Sequence, residues 1–259
     1  MFTTMEATHF EQEASAPLIL KIIEENNIES LSLDLDNTFL MTNEYYWFWQ
    51  DSCSAFLADS FNVGVEKGVF VERMAYNLRL EYDEKALLPI RQKYLNALDR
   101  YFGENLPENY KGYKKTARKF LEDFYKESPD MIEGSDSFLR LIYRTGLPFI
   151  FNSNAQYDWT KRKVKVLEEE VDAEIPFNAV DISKRKDAQT WIRSVDKIGK
   201  SIETTLVIGD SLVADILPAI EAGCKNLVWI KGDLEKLPFE ITDNPDIHIW
   251  CVDSIKDLL

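Results

Sequence analysis

Two aspartates, Asp34 and Asp36, close the apolar run Leu31-Ser32-Leu33-Asp34-Leu35-Asp36. On a regular strand, residues two apart face the same side, so both carboxylates would gather at one strand end. In open α/β sheets the carboxyl ends of the strands are where ligands bind. Carboxylates this close repel each other. The usual resolutions are a shared cation, a shared proton or a division of roles. A hard cation such as Mg²⁺ would accept these oxygens and leave room for phosphate oxygens. One aspartate could then act as nucleophile and the other as general acid and base. The ordinary alternative is a solvated strand end, with Asp36-Asn37-Thr38 only starting a turn.

Three further groups bear on that choice. Ser153 and Asn154 end the apolar run Phe149-Ile150-Phe151-Asn152. Lys184-Arg185-Lys186 precede a helical pattern, and Asp210 and Asp215 follow Leu206-Val207-Ile208-Gly209. Each has an everyday use: Ser153 or Asp210 as a helix N-cap, the basic run as a solvated loop, Asp215 on an exposed helical face. Together they match the needs of one phosphoryl-handling site. A hydroxyl and backbone N–H groups at a helix start hold phosphate oxygens, and a lysine neutralises them. Asp210 would complete a cation site, and Asp215 would orient its surroundings.

The elements that must position these groups are legible from periodicity. Residues 1–13 read as a loose tail and 14–27 as a helix, with the first strand over 28–34. Helical spacing then dominates over 43–60, 66–80, 84–101 and 111–125, with Pro89 kinking the third helix or marking its first turn. That excursion is too long for a loop and implies a helical insertion with its own small core. From residue 130 the pattern alternates. Helices are expected over 135–144, 156–171, 187–199, 211–222 and 254–259. Strands are expected over 148–151, 174–180, 204–208, 226–230 and 246–251. Alternation of this kind predicts an α/β fold: a Rossmann-like parallel sheet of about five or six strands, with right-handed crossovers and helices on both faces. The domains expected are a catalytic core over 14–41 and 129–259 and an all-helical cap over 42–128.

Composition narrows the chemistry. A net charge of −15 over 259 residues argues against nucleic acid or an anionic membrane as partner. Cys53, Cys224 and Cys251 show no metal-ligand spacing and read as reduced thiols of a cytoplasmic protein. His9 and His248 have no partners near in sequence, which disfavours a histidine-based zinc site or a Ser-His-Asp triad. No apolar run is long enough to span a membrane, and no secretory leader is visible.

On these residues the chain resembles the haloacid dehalogenase (HAD) superfamily. Asp34-Leu35-Asp36-Asn37-Thr38 resembles its DxDxT motif, and the strand ending at Ser153 resembles its second. Gly209-Asp210 through Asp215, continued by Ala219 and Ala222-Gly223, resembles GDxxxxD. The likeness covers residues 28–41 and 130–251. It implies Asp34 as a nucleophile that forms an aspartyl-phosphate, and Asp36 as the acid that protonates the leaving oxygen and then activates water. It implies Mg²⁺ held by Asp34, Asp36 (through its backbone carbonyl) and Asp210, with Asp215 supporting the metal shell. Phosphate would be bound by Ser153, Asn154 and a lysine. The family's third motif is usually Lys-Pro followed by a helix; no proline follows here, and Lys186 is preferred because it directly precedes the predicted helix, with Lys184 kept as the alternative. The insertion would be a cap that closes over the site.

An acid at Asp36 suits an alkoxide leaving group, whereas halide needs no proton. The expected activity is therefore Mg²⁺-dependent hydrolysis of a small phosphorylated metabolite by a monomer or homodimer. A phosphosugar mutase of the same superfamily, or a non-catalytic binding protein on this fold, are the alternatives. For substrate choice, the run Tyr45-Tyr46-Trp47-Phe48-Trp49 is expected to bury Phe48 and Trp49 and to bring Tyr45 or Tyr46 near the site. Arg73, Arg79, Lys85, Arg91 and Lys93 could greet an anionic substrate tail.

Overall fold

The computed structural model describes residues 16–84, 88–181 and 184–259. Strands β1 (Ser30–Asp34), β2 (Phe149–Ser153), β3 (Phe177–Ala179), β4 (Thr205–Gly209), β5 (Asn226–Ile230) and β6 (His248–Val252) build one sheet. The sheet is 6-stranded, with the order β3-β2-β1-β4-β5-β6, and every neighbouring pair is parallel. β1, β2, β4 and β5 are buried along their whole length. That is why they read as nearly continuous apolar runs: helices cover both faces of a parallel sheet. From β1 the chain steps outward to β2 and β3, then returns to the other side of β1 for β4. The carboxyl end of β1 therefore lies at the switch in strand order, where such sheets open a crevice.

Alternate residues of the strands feed two cores. Leu31, Leu33, Phe151, Ile208 and Val228 pack against α1 (Leu18–Glu25), α6 (Ser135–Thr145) and α7 (Tyr157–Val171). Val207, Leu227 and Trp229 pack on the opposite face, against α8 (Ala188–Lys197) and α9 (Leu217–Glu221). Polar strand residues on that face pair with one another and with Ser194 of α8. Ser32 Oγ lies 3.0 Å from Ser194 Oγ, and Asn152 Nδ2 donates to both hydroxyls at 2.8 and 2.9 Å. Buried polar groups satisfied in this way cost little.

Between β1 and α6, the described residues form the helices α2 (Thr42–Ser60), α3 (Lys67–Glu84), α4 (Ile90–Phe102) and α5 (Tyr110–Asp123). They enclose a cluster of their own that includes Cys53, Leu57, Phe70, Met74, Tyr94 and Leu121. A second, aromatic cluster joins them to α7: Tyr45, Tyr46, Trp49, Phe124 and Tyr125 pack around Trp159.

Several boundaries differ from the periodicity. The helix expected over 84–101 starts only at Ile90, because Pro89 occupies its N-cap, where a missing N–H costs nothing. The helix expected over 211–222 opens as a π-turn, Leu212–Ile216, before α9. The last expected helix is a short 3₁₀ turn, Ile255–Leu258. A short helix, α10 (Phe239–Thr242), appears between β5 and β6 where none was expected. Phe48 is 65% exposed and not buried. The packed face of α2 runs instead through Tyr45, Tyr46, Trp49, Gln50, Cys53 and Leu57, since that face meets both aromatic cluster and insertion core. The expected tail over 1–13 and Lys85 lie outside the described residues. Among the described residues, no helix is long and apolar enough to cross a membrane.

Candidate functional site

β1 stops at Asp34 and the chain turns back at once. Phe39 N and Leu40 N both donate to Leu35 O, at 3.1 and 3.2 Å, and Asn37 sits at φ 61°. Asparagine tolerates that left-handed conformation better than most residues. The turn sends the two aspartates to different partners. The regular strand that would have aligned them ends between them.

Asp34 faces β4. Thr38 Oγ1 donates to its Oδ2 at 2.9 Å, and Lys186 Nζ contacts its Oδ1. Lys186 also donates to Asp215 Oδ1 at 2.8 Å. Asp210 completes the group: oxygens of Asp34, Asp210 and Asp215 lie within 4.8 Å of one another. Gly209 permits this closeness. A Cβ there would lie 2.6 Å from Asp215 Cβ, so any side chain would push Asp215 away. The π-turn brings Asp215 inward, where Ser211 N donates to its Oδ2 at 2.9 Å. Such turns often mark functional sites.

Asp36 faces β2 and α7. It accepts from Thr42 Oγ1 at 2.7 Å and Ser153 Oγ at 2.6 Å, and it contacts Lys163 Nζ. Lys163 also donates to Ser153 Oγ at 3.1 Å and is fully buried. Ser153 is therefore not the cap of α7, whose N-cap is Gln156. Nor is Asp215 on an exposed face, being 1% exposed.

The electrostatics of the two groups are opposite. Burial raises Asp34 well above the usual carboxylate range, and the charge of Asp215 adds to this against the pull of Lys186. Burial and then Asp215 push Asp210 up to about 7. Lys186 itself is raised: burial opposes its charge, but Asp215 and Asp34 outweigh it. For Asp36 burial is the largest influence upward, yet Lys163 and the hydrogen bonds from Lys163, Ser153 and Thr42 together bring it below its ordinary value. Burial lowers Lys163 despite Asp36.

Three carboxylates against one ammonium leave negative charge uncompensated around Asp34. The donors are all oxygen, as a hard divalent cation requires. Mg²⁺ thus fits Asp34, Asp210 and Asp215. The carboxylate of Asp36 is engaged elsewhere, and Asp215 lies in the cluster itself and not behind it. A pH dependence follows. Asp34 and Asp210 are raised in the folded chain, so between the ordinary carboxylate range near pH ~4 and about 7 for Asp210 the folded state binds more protons than the unfolded. Stability of the metal-free protein should fall as pH rises through that window. Mg²⁺ should restore more of the melting temperature at pH 8 than at pH 5, because protons no longer compete. Melting curves in chelator and in Mg²⁺ across pH check this; an equal Mg²⁺ shift at both values would rule out the cluster as the binding site.

Asn154 and Lys184, both expected at the site, have different surroundings. Asn154 Nδ2 donates to the carbonyls of Val180, Asp181 and Lys184, at 3.3, 3.3 and 2.9 Å. Its amide ties down the segment before Lys186 while the residue lines the site's cavity. Lys184 is exposed and lines a separate surface hollow with Asp187 and Arg193. Lys186 is the lysine at the cluster.

Thr38, the threonine of the first motif, holds Asp34, whereas Lys163 and Thr42, which hold Asp36, are residues that the motif reading missed. Lys163 had a signal: it stands four residues from Trp159 and from Leu167, on the buried stripe of α7. A lysine on a core-facing stripe needs a partner. Tyr46 and Asn154 line the site's cavity of 190 Å³ with Asp34, Asp36, Lys186 and Asp210.

No protein-family profile and no curated protein matches the sequence. Solved structures do match. A haloacid dehalogenase-like family hydrolase from Xanthomonas campestris aligns at TM-score 0.63 and 15% identity, over 88% of this chain and 92% of that one. A Thermotoga maritima protein named as a beta-phosphoglucomutase aligns at TM-score 0.59 and 12% identity, over 90% and 97%. A HAD-hydrolase from Bacillus subtilis, solved bound to magnesium, aligns at TM-score 0.56 and 17% identity, over 89% and 96%. At such identities the likeness is one of architecture. It agrees with the parallel strand order and the helical insertion after β1: this chain has the haloacid dehalogenase-like fold.

Proposed function

We propose that the protein is a Mg²⁺-dependent hydrolase of small phosphate monoesters. The observation that carries this reading is the split between Asp34 and Asp36: one sits in an over-charged oxygen cluster, the other against its own lysine and serine. Phosphoryl transfer needs that division, with a nucleophile beside positive charge and a separate group that handles the proton.

In this reading a carboxylate oxygen of Asp34 attacks phosphorus, the ester P–O bond breaks, and the leaving alkoxide takes a proton that the Lys163 ammonium passes to it through Asp36. A water then attacks the aspartyl-phosphate, gives its proton through Asp36 back to Lys163, and releases phosphate with Asp34 restored. The ion pair with Lys163 keeps a proton next to Asp36, and Thr42 and Ser153 aim its carboxylate. Mg²⁺ held by Asp34, Asp210 and Asp215 would favour the ionised form of Asp34 against its burial and the charge of Asp215, and would offset charge on the phosphoryl oxygens. Lys186 holds Asp34 and Asp215 in place and adds its charge for the incoming phosphate. A halide leaving group would need no acid, so the buried hydrogen-bonded setting of Asp36 favours an oxygen leaving group.

The test is phosphate release from a panel of phosphorylated metabolites, with and without Mg²⁺, for wild type, Lys184→Ala and Lys186→Ala. We expect Mg²⁺-dependent release, reduced by about 10²-fold or more in Lys186→Ala and little changed in Lys184→Ala. Equal small losses in both variants would remove the single-lysine assignment. Isomer formation from a sugar phosphate in place of phosphate release would point to a mutase, and no reaction with Mg²⁺ bound would point to a binding role.

A further inference from the structure

A second cavity, of 150 Å³, opens beside the site and shares Tyr46 and Asn154 with it. Its walls come from the helical insertion and from α7: Tyr46, Tyr82, Tyr125, Ile90 and Trp159. Two polar groups in this lining are left over. Lys93 is only 4% exposed, yet among the described residues it has no hydrogen bond or ion pair; its ammonium stands 3.7 Å from the centre of the Tyr82 ring. The indole N–H of Trp159 is buried beside the Tyr46 hydroxyl and makes no well-formed hydrogen bond. Burial pulls Lys93 down to about 8, against the charge of Glu81, which leaves it mostly protonated at neutral pH. A buried ammonium with only a ring face and no hydrogen-bonding anion is costly, and a bound anion would offset that cost.

The size and chemistry of the space restrict what fits. A cavity of this order accepts a single six-membered ring, and the aromatic walls suit a flat one. One ammonium and one N–H donor match a monoanion; a second phosphate dianion would call for more positive charge. We propose that this cavity receives the alcohol part of the substrate and that Lys93 binds a carboxylate on it. The substrate class is then a compact, carboxylate-bearing phosphate monoester, with its phosphate at Asp34 and its body passing Tyr46. The proposal rests on the phosphohydrolase reading above for its phosphate end alone.

The experiment compares kcat/KM for 4-carboxyphenyl phosphate and phenyl phosphate in wild type and Lys93→Met, and measures benzoate binding by calorimetry. We expect the wild type to prefer the carboxylated ester by about 10- to 100-fold, the range of a charge-assisted hydrogen bond, and to bind benzoate. Lys93→Met should lose both the preference and benzoate binding. It should also melt about 2–4 °C higher, since the unpaired charge is gone. A lower melting temperature together with a retained preference would make Lys93 a packing residue of the Tyr82 contact and overturn the proposal. Benzoate binding by the wild type requires no variant. If phosphate is released equally from both esters and benzoate does not bind, the cavity proposal is wrong while the hydrolase reading stands. If neither ester reacts but benzoate binds in a Lys93-dependent way, the hydrolase reading is wrong and the anion pocket stands.

Discussion

Asp34→Asn should abolish phosphate release, by about 10⁴-fold or more, while making the metal-free protein more stable. The first effect follows from replacing the attacking carboxylate with an amide of the same shape. The second follows from the charge count. Asp34 is 3% exposed, and its carboxyl is raised by burial and then by Asp215. At neutral pH, removing that charge relieves the repulsion with Asp210 and Asp215, and Lys186 retains its 2.8 Å bond to Asp215. A rise in melting temperature of about 2–4 °C in chelator is expected, equivalent to roughly 1 kcal/mol at this chain length. The added stabilisation from Mg²⁺ should shrink at the same time, because one ligand is lost. Turnover that survives the substitution would remove Asp34 as nucleophile. A fall in melting temperature would mean that the Lys186–Asp34 contact outweighs the carboxylate repulsion.

Lys163→Met tests the other half of the site. The ammonium is fully buried and Asp36 has a side chain 21% exposed. Breaking a buried pair by removing one partner usually costs about 3–5 kcal/mol. Here the loss should be nearer about 2 kcal/mol, because Asp36 keeps some water and its bonds from Thr42 and Ser153. The cost should depend on pH. Asp36 lies below its ordinary value in the folded chain, so its contribution is present at neutral pH and is lost as pH falls through the folded value. The gap between wild type and Lys163→Met should therefore narrow in acid. Asp36→Asn combined with Lys163→Met should recover much of the stability, since replacing both partners leaves no orphaned charge. Urea unfolding of the two single variants and the double variant measures the coupling. Additive losses would show that the two side chains do not act as a pair. Turnover of Lys163→Met should fall about 10²-fold, with the pH profile displaced upward as Asp36 loses its cationic neighbour.

Much of the site was legible because its residues fall at strand ends, and strand ends are marked locally. Asp34, Ser153 and Asp210 each follow an apolar run, and such runs in a parallel sheet share a common direction. Their convergence needed only the α/β alternation. Lys186 was legible as the residue before α8's capping aspartate, Asp187, which accepts from Thr190 N at 2.8 Å. Lys163 escaped because a lysine ten residues past Ser153 in a charged helix resembles solvated surface. Only the stripe from Trp159 to Leu167 hinted otherwise. Phe48 was misplaced for a related reason: several partners lay within reach, and spacing alone does not choose among them.

Local order along the chain, set by hydrophobic period and by residues such as Pro89 and Gly209, was determined by the sequence itself, because those preferences act over a few bonds. The pairing of charges was decided only by the tertiary structure. Asp34 and Asp36 are two residues apart, yet the turn at Asn37 and the docking of α7 against β2 give each a different lysine. Electrostatic partnership depends on through-space distance and burial, and both are set where distant segments meet.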